Sequence, residues 1–558
     1  MDRIMRMFNK EFSKISEAAL VLGSFTLLSQ VLAIFRDRLL AGNIGAGSTL
    51  DVYYAAFRVP DLLFTLGASL VSVSILMPFF KSKLAESEFK GKEFLNDVFT
   101  SFFVLIVVLA IACFALMPLF AEYLFPGFNP DELSNVITLS RIMLLSPILL
   151  GISNLFATIT QAFKKFFVYA LAPVFYNLGI ILGVVWLYPL FGLAGLGYGV
   201  GLGALLHMLI QLPVVLGQGM LPKFTRTIDW KHIRMVLMHS LPRTITLSMS
   251  KIVFLIFVSI ASTLVAGTIS VFNLSYNLQS VPLAIIGISY SVAAFPVLVD
   301  YFNSKNLEKF MAHVMGPIRQ IVFWSLPVMA LFIILRAQIV RVILGTGSFD
   351  WSDTRLTAAS LALFIISVVA QSVILLIIRA YYASGRTWKP LWITLVGSVL
   401  TIVLGYVFVT AFNSLPHMKY FFEGFLRING VAGSSVIMLS LAYSIGMFVN
   451  LGLLWNSFKK DFGYKGGYGV KKSLVQSFIA SFIIGATAYL ILQYTADMFN
   501  PDRTIGVLGH GLTAGLIGII MGIFALLVMK NEEIIVLFEV LKKKFWRTSP
   551  VIANEEIS

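Results

Sequence analysis

Fourteen apolar segments, each long enough to carry an α-helix across a bilayer, follow one another through this chain with short polar gaps between them. They lie near 18–44, 50–80, 97–121, 134–162, 168–189, 193–217, 233–263, 267–297, 313–344, 355–384, 389–411, 432–456, 473–495 and 505–530. The segments are apolar on most sides, which suits helices buried in lipid and in each other. Only 12% of the residues are charged and 58% are hydrophobic, against about a quarter charged in soluble domains. That excludes an ordinary cytosolic enzyme, a disordered chain and a small secreted scaffold. A single cysteine, Cys113, excludes an intramolecular disulfide and a cysteine-based metal centre. The expected fold is an all-α polytopic membrane protein with 14 transmembrane helices.

The net charge of +15 would point to nucleic acid in a soluble chain. In a bilayer protein it is read against topology, because Lys and Arg collect in cytoplasmic loops. With the N-terminus inside, 28 of the 42 basic residues fall in the two ends and the even-numbered gaps, and 4 in the odd ones. Both termini are therefore expected on the cytoplasmic side, with no nucleic-acid partner. The segment from Met1 to Lys14 is basic but lacks a small-residue cleavage site before its long apolar continuation, so it is not expected to be a signal peptide.

Ala46-Gly47-Ser48 opens the second segment and Ala266-Gly267-Thr268 opens the eighth, and each segment then carries two prolines. This repeat predicts two pseudo-symmetric six-helix lobes plus two C-terminal helices. The expected organisation is a cytoplasmic segment 1–17, lobes 18–217 and 218–456, a helix pair 457–530, and a cytoplasmic tail 531–558 that includes an amphipathic surface helix.

A charge at the bilayer centre costs about 2.5–3.5 kcal/mol, so a buried one faces a cavity or a partner. Arg36-Asp37-Arg38 lies in the first segment, Asp51, Arg58 and Asp61 in the second, and Arg243 and Lys251 in the seventh. The eighth adds Asn273, Asn277 and Gln279. Five cations against three anions describe a cavity for an anionic ligand. Simpler roles stand beside this one: Arg36 and Asp37 as a local ion pair, Arg243 as a snorkelling residue. The six histidines are scattered, with no HExxH pattern, and no phosphate-cradling loop ends in Lys-Ser/Thr, so neither a metal, a cofactor nor an enzyme is expected. The series Gly195, Gly197, Gly199, Gly201 and Gly203 reads as a small-residue packing surface.

Certain stretches carry a resemblance. Asp51-Val-Tyr-Tyr-Ala-Ala-Phe-Arg58-Val-Pro60-Asp61-Leu-Leu, preceded by Arg36-Asp37 and Ile44-Gly45-Ala46-Gly47, resembles the opening of the MurJ (MviN) family of lipid II flippases. The runs 161–177, 197–213 and 379–390 are similar to three further junctions of that family. The resemblance implies a fold of the multidrug/oligosaccharidyl-lipid/polysaccharide exporter type, in the bacterial cytoplasmic membrane, that carries lipid II from inner to outer leaflet by alternating access. It also implies a cationic cavity for the pyrophosphate, a groove for the polyprenyl tail at the last helix pair, and lipid II, membrane lipids and the cell-wall synthesis machinery as partners. Arg36, Asp37 and Asp51 match positions that the family uses in its cavity, and Arg58, Lys251, Asn277 and Gln279 complete the expected binding set. The chain departs from the family where two arginines after Pro-Asn-Leu-Leu are Phe64-Thr65, and where an arginine of the eighth segment is Asn277. A carboxylate usual near Ser69 is missing too. Lys251 is expected to replace the lost charge, with Asn277 and Gln279 adding neutral hydrogen bonds. The sodium site of some members is not expected, because segments 7 and 11 hold no carboxylate. The alternatives are an exporter of another polyprenyl-linked glycan, a drug/cation antiporter of the MATE type, and a membrane-embedded enzyme of cell-wall assembly.

Overall fold

The computed structural model describes residues 15–464, 466–500 and 503–545, and among these every regular element is a helix. Lys465, Arg547 and the first fourteen positions, which carry part of the expected cytoplasmic charge, lie outside the described residues. Among the described residues eleven helices are long and apolar enough to cross a membrane, and the bent pair Trp351–Phe364 and Ser367–Ala383 makes a twelfth. These match the third to fourteenth expected segments. Among the described residues the first and second segments are not counted with these. Ile15–Ile44 carries Arg36-Asp37-Arg38, and the second segment is divided into Ser48–Ala56, Arg58–Leu70 and Val73–Glu86.

The break after Ala56 has a local cause. Pro60 has no N–H to give the Ala56 carbonyl, so the helical ladder lapses there. The Ser140 hydroxyl donates to that carbonyl instead, at 2.9 Å. The ladder resumes when the Asp61 amide bonds the Phe57 carbonyl. Helix starts elsewhere are fixed by side chains: Asn129 with Glu132, and Asp350 with Asp353, form reciprocal capping boxes.

The chain forms two compact units. Of the described residues, the first takes those up to Val281 together with Val340–Ser367 and Gly385–Leu454; the second takes Pro282–Ile339, Val368–Ser384 and those from Trp455 on. Within the first, Phe166–Leu182 and Leu193–Leu209 pack through glycine. A Cβ on Gly179 would lie 2.2 Å from the Gly203 Cα, and one on Gly183 would lie 2.5 Å from that of Gly199. Of the expected glycine surface, Gly199 and Gly203 make this contact, Gly197 meets Leu139 and Ile142, and Gly201 has nothing within 4 Å. Gly203→Val is expected to cost about 1–3 kcal/mol by overpacking, seen as a lowered unfolding temperature in detergent. Gly201→Ala in the same helix should leave that temperature unchanged.

In the second unit Leu307–Ile334, Val470–Tyr494 and Thr504–Val528 pack around Phe323, Ala480 and Leu526. The amphipathic tail helix, Glu532–Phe545, is tied to them. Arg319 bonds Glu533 at 2.7 Å and Glu532 at 2.6 Å, and Lys472 reaches Glu532 at 3.2 Å. Hydrogen bonds from those two cations hold the Glu532 carboxyl below the usual carboxylate range.

Candidate functional site

A cavity of about 400 Å³ opens within the first unit, lined by residues from the first, second, fourth, fifth, sixth, seventh and eighth expected segments. The charges that sequence singled out meet here. Arg36 gives two hydrogen bonds to Asp37 Oδ1, at 2.9 and 2.8 Å, and a third to Asn177 Oδ1 at 3.1 Å. The Asn277 amide donates to the other Asp37 oxygen at 2.9 Å. Asn177 in turn donates to the carbonyl of Pro173 and the hydroxyl of Ser29. Arg36 and Asp37 are therefore a local ion pair and a part of the cavity wall at once.

Arg58 is held differently. Its guanidinium donates to the Tyr54 carbonyl at 3.0 Å and to Asn273 Oδ1, and stands 5.1 Å over the Phe254 ring. Lys251 donates to Asp61 Oδ2 at 2.8 Å, across 190 residues of sequence. Among the described residues, the ion pairs lining this cavity are Arg36–Asp37 and Lys251–Asp61. Three cations face two carboxylates, and Arg58 is the cation whose hydrogen-bond partners are neutral.

Two expected binding residues do not line the cavity. Asp51 is 3% exposed and accepts from the amides of Gly267 and Ser270, each at 2.7 Å, and from the Ser270 hydroxyl. It caps the start of Thr268–Pro282, where free amides attract a carboxylate. Gln279 is fully buried and turned away. Two residues on from Asn277 is about 200° around an α-helix, so the two side chains leave on opposite faces. Asn273, four residues before Asn277, does share its face and lines the cavity.

A neutral part of the lining was not expected from sequence. Tyr176, Ser146 and His207 line it, with Tyr53 and Tyr54 beside Arg36. His207 Nδ1 lies 2.7 Å from the Ser153 hydroxyl, which also receives the Gln211 amide at 2.7 Å. Asn177 and His207 both sit in stretches that carried the family resemblance, which was the signal available for them. A second, apolar cavity of about 360 Å³ lies in the second unit, between Met329, Ala330 and Ile333 on one helix and Phe478, Phe482 and Tyr489 on another.

The sequence model of the lipid II flippase MurJ family matches residues 40–505, most of the chain. The chain belongs to the lipid II flippase MurJ family. A probable lipid II flippase MurJ of Thermotoga maritima is 28% identical over 451 residues, covering 78% of this chain and 90% of that one. A solved lipid II flippase MurJ in an inward closed conformation has the same fold, with a TM-score of 0.71 over 94% of this chain and 99% of that one, at 21% identity. An inward-facing multidrug resistance MATE family transporter of the MOP superfamily follows at 0.61, with 16% identity over 80% of this chain and all of that one. Lys251 stands opposite Asp61 of the run Pro60-Asp61-Leu62-Leu63.

Proposed function

We propose that this chain carries lipid II from the inner to the outer leaflet of the bacterial cytoplasmic membrane by alternating access. Both its ends would be cytoplasmic, with fourteen spans and two six-helix lobes followed by a helix pair. The observation that carries the reading is the cavity charge. Arg36, Arg58 and Lys251 against Asp37 and Asp61 leave one positive charge in excess, inside helices that are apolar elsewhere. In a water-poor cavity, charge-assisted bonds to a pyrophosphate are stronger than neutral ones. Arg36, Asp37, Arg58, Lys251 and Asn277 form the proposed headgroup site. Asp51 and Gln279 would support it from outside, by holding the eighth span. The apolar cavity beside Phe478 and Phe482 suits a polyprenyl tail.

The MATE fold likeness keeps a drug/cation antiporter as the second reading. An excess of positive charge repels cationic drugs, which favours the first. The test is depletion of the resident flippase in a bacterium complemented by this chain. Growth should be restored and lipid II should not accumulate on the inner leaflet. Growth without relief of that accumulation would overturn the proposal.

A further inference from the structure

The two ion pairs of the cavity are built unequally. Asp37 is held at both oxygens, by two bonds from Arg36 and one from Asn277, and Arg36 is anchored again on Asn177. Lys251 and Asp61 share one hydrogen bond at 2.8 Å, and their side chains are 40% and 17% exposed, against 20% and 7% for Arg36 and Asp37. An ammonium is a compact charge on a flexible stem, so it can change partners without giving up a planar fork of bonds. An anion entering the cavity therefore meets, beside Arg58, one paired cation that is fixed in place and one that its neighbour can release.

We infer that Asp61 is a built-in counter-ion of Lys251, one that the anionic headgroup displaces on binding and that recaptures the lysine on release. This rests on the proposed headgroup site and adds a residue to its working. Asp61 makes no bond to the headgroup; it acts through Lys251, as a positioning residue that weakens binding and so speeds departure. The tethered carboxylate is always at hand, so part of the lysine's attraction for phosphate is spent on exchanging partners. The pair also links Arg58–Leu70 to Trp230–Ser262, two helices that pack against each other, so displacement removes one polar tie between them.

The test is a double-mutant cycle on the full-length chain in nanodiscs, with lipid II binding and flipping both measured. Asp61→Asn should bind lipid II about tenfold tighter, the order of one charge-assisted bond, and turn over more slowly. Lys251→Gln should bind about tenfold weaker, and adding Asp61→Asn to it should tighten binding far less than in the parent, because the carboxylate has then lost its hydrogen-bonded cation. A merely structural role for Asp61 predicts no gain in affinity. Unchanged binding by Asp61→Asn, or the same tightening in the Lys251→Gln background, would overturn the inference. So would a well-folded Asp61→Glu beside a misfolded Asp61→Asn, which would make the pair a folding element. Failure of the parent to bind lipid II would instead remove the proposed substrate. The same cycle read with inorganic pyrophosphate then decides the inference alone, non-additivity supporting it and additivity overturning it.

Discussion

Arg36→Ala is expected to abolish complementation. The side chain provides three of the hydrogen bonds that organise the cavity wall, two to Asp37 and one to Asn177. A guanidinium has five N–H donors, so two remain to face an anion. Alanine removes both the wall and the donors. It also leaves Asp37, 5% exposed, with Asn277 as its remaining hydrogen-bond donor among the described residues. Deleting one partner of a buried pair costs about 3–5 kcal/mol, so a loss of function could come from misfolding alone. The second variant separates the two causes. Arg36→Ala/Asp37→Asn removes the stranded charge and should recover most of the unfolding temperature in detergent, while complementation stays absent. Normal growth on Arg36→Ala as the sole copy would mean that the excess charge of the cavity is not what binds the headgroup.

Hydropathy made the helices legible, and the cost of burying charge marked which of them meet. Arg36, Asp37, Arg58, Lys251 and Asn277 do share one cavity. Depth along a helix was harder to read. Asp51 and Arg58 are seven residues apart, nearly two turns, so both face the eighth segment, but about 10 Å separates them along the axis. At that separation Asp51 meets the start of Thr268–Pro282 and Arg58 meets Asn273, one turn further in. Helical geometry would have divided Asn277 from Gln279, since an offset of two residues reverses the face. The partner of Lys251 was not legible at all. Nothing local connects it to Asp61, and only the packing of Arg58–Leu70 against Trp230–Ser262 brings them together. The neutral wall of Tyr176 and His207 was hidden for a related reason: in a segment apolar all round, one polar residue gives no face by which to orient it.

The largest mechanical effect is expected from joining Ala46→Cys to Ala266→Cys with a short thiol crosslinker, in a Cys113→Ala background that removes the native thiol. The loop between the first two helices is caught from two sides. Gly267, at φ +92°, lies so close to Ala46 that a Cβ there would come within 2.3 Å of its carbonyl oxygen. Its amide and that of Ser270 are held by Asp51. On the other side the Ser348 amide donates to the Gly42 carbonyl at 2.8 Å, and Arg38 donates to the carbonyls of Val342 and Ile343. Under the proposed topology this is the outer end of the cavity, and here it is shut. Alternating access requires the 44–50 loop to part from 266–268 when the site opens outward. Crosslinked protein should therefore hold the inward state, bind lipid II and fail to release it outside, and cleaving the linker should restore flipping. Each single cysteine variant treated with the same reagent should flip normally, which excludes damage by the modification itself. Flipping by fully crosslinked protein would show that the substrate leaves by a route that does not open between these loops, and rocking of the lobes could not then be the mechanism.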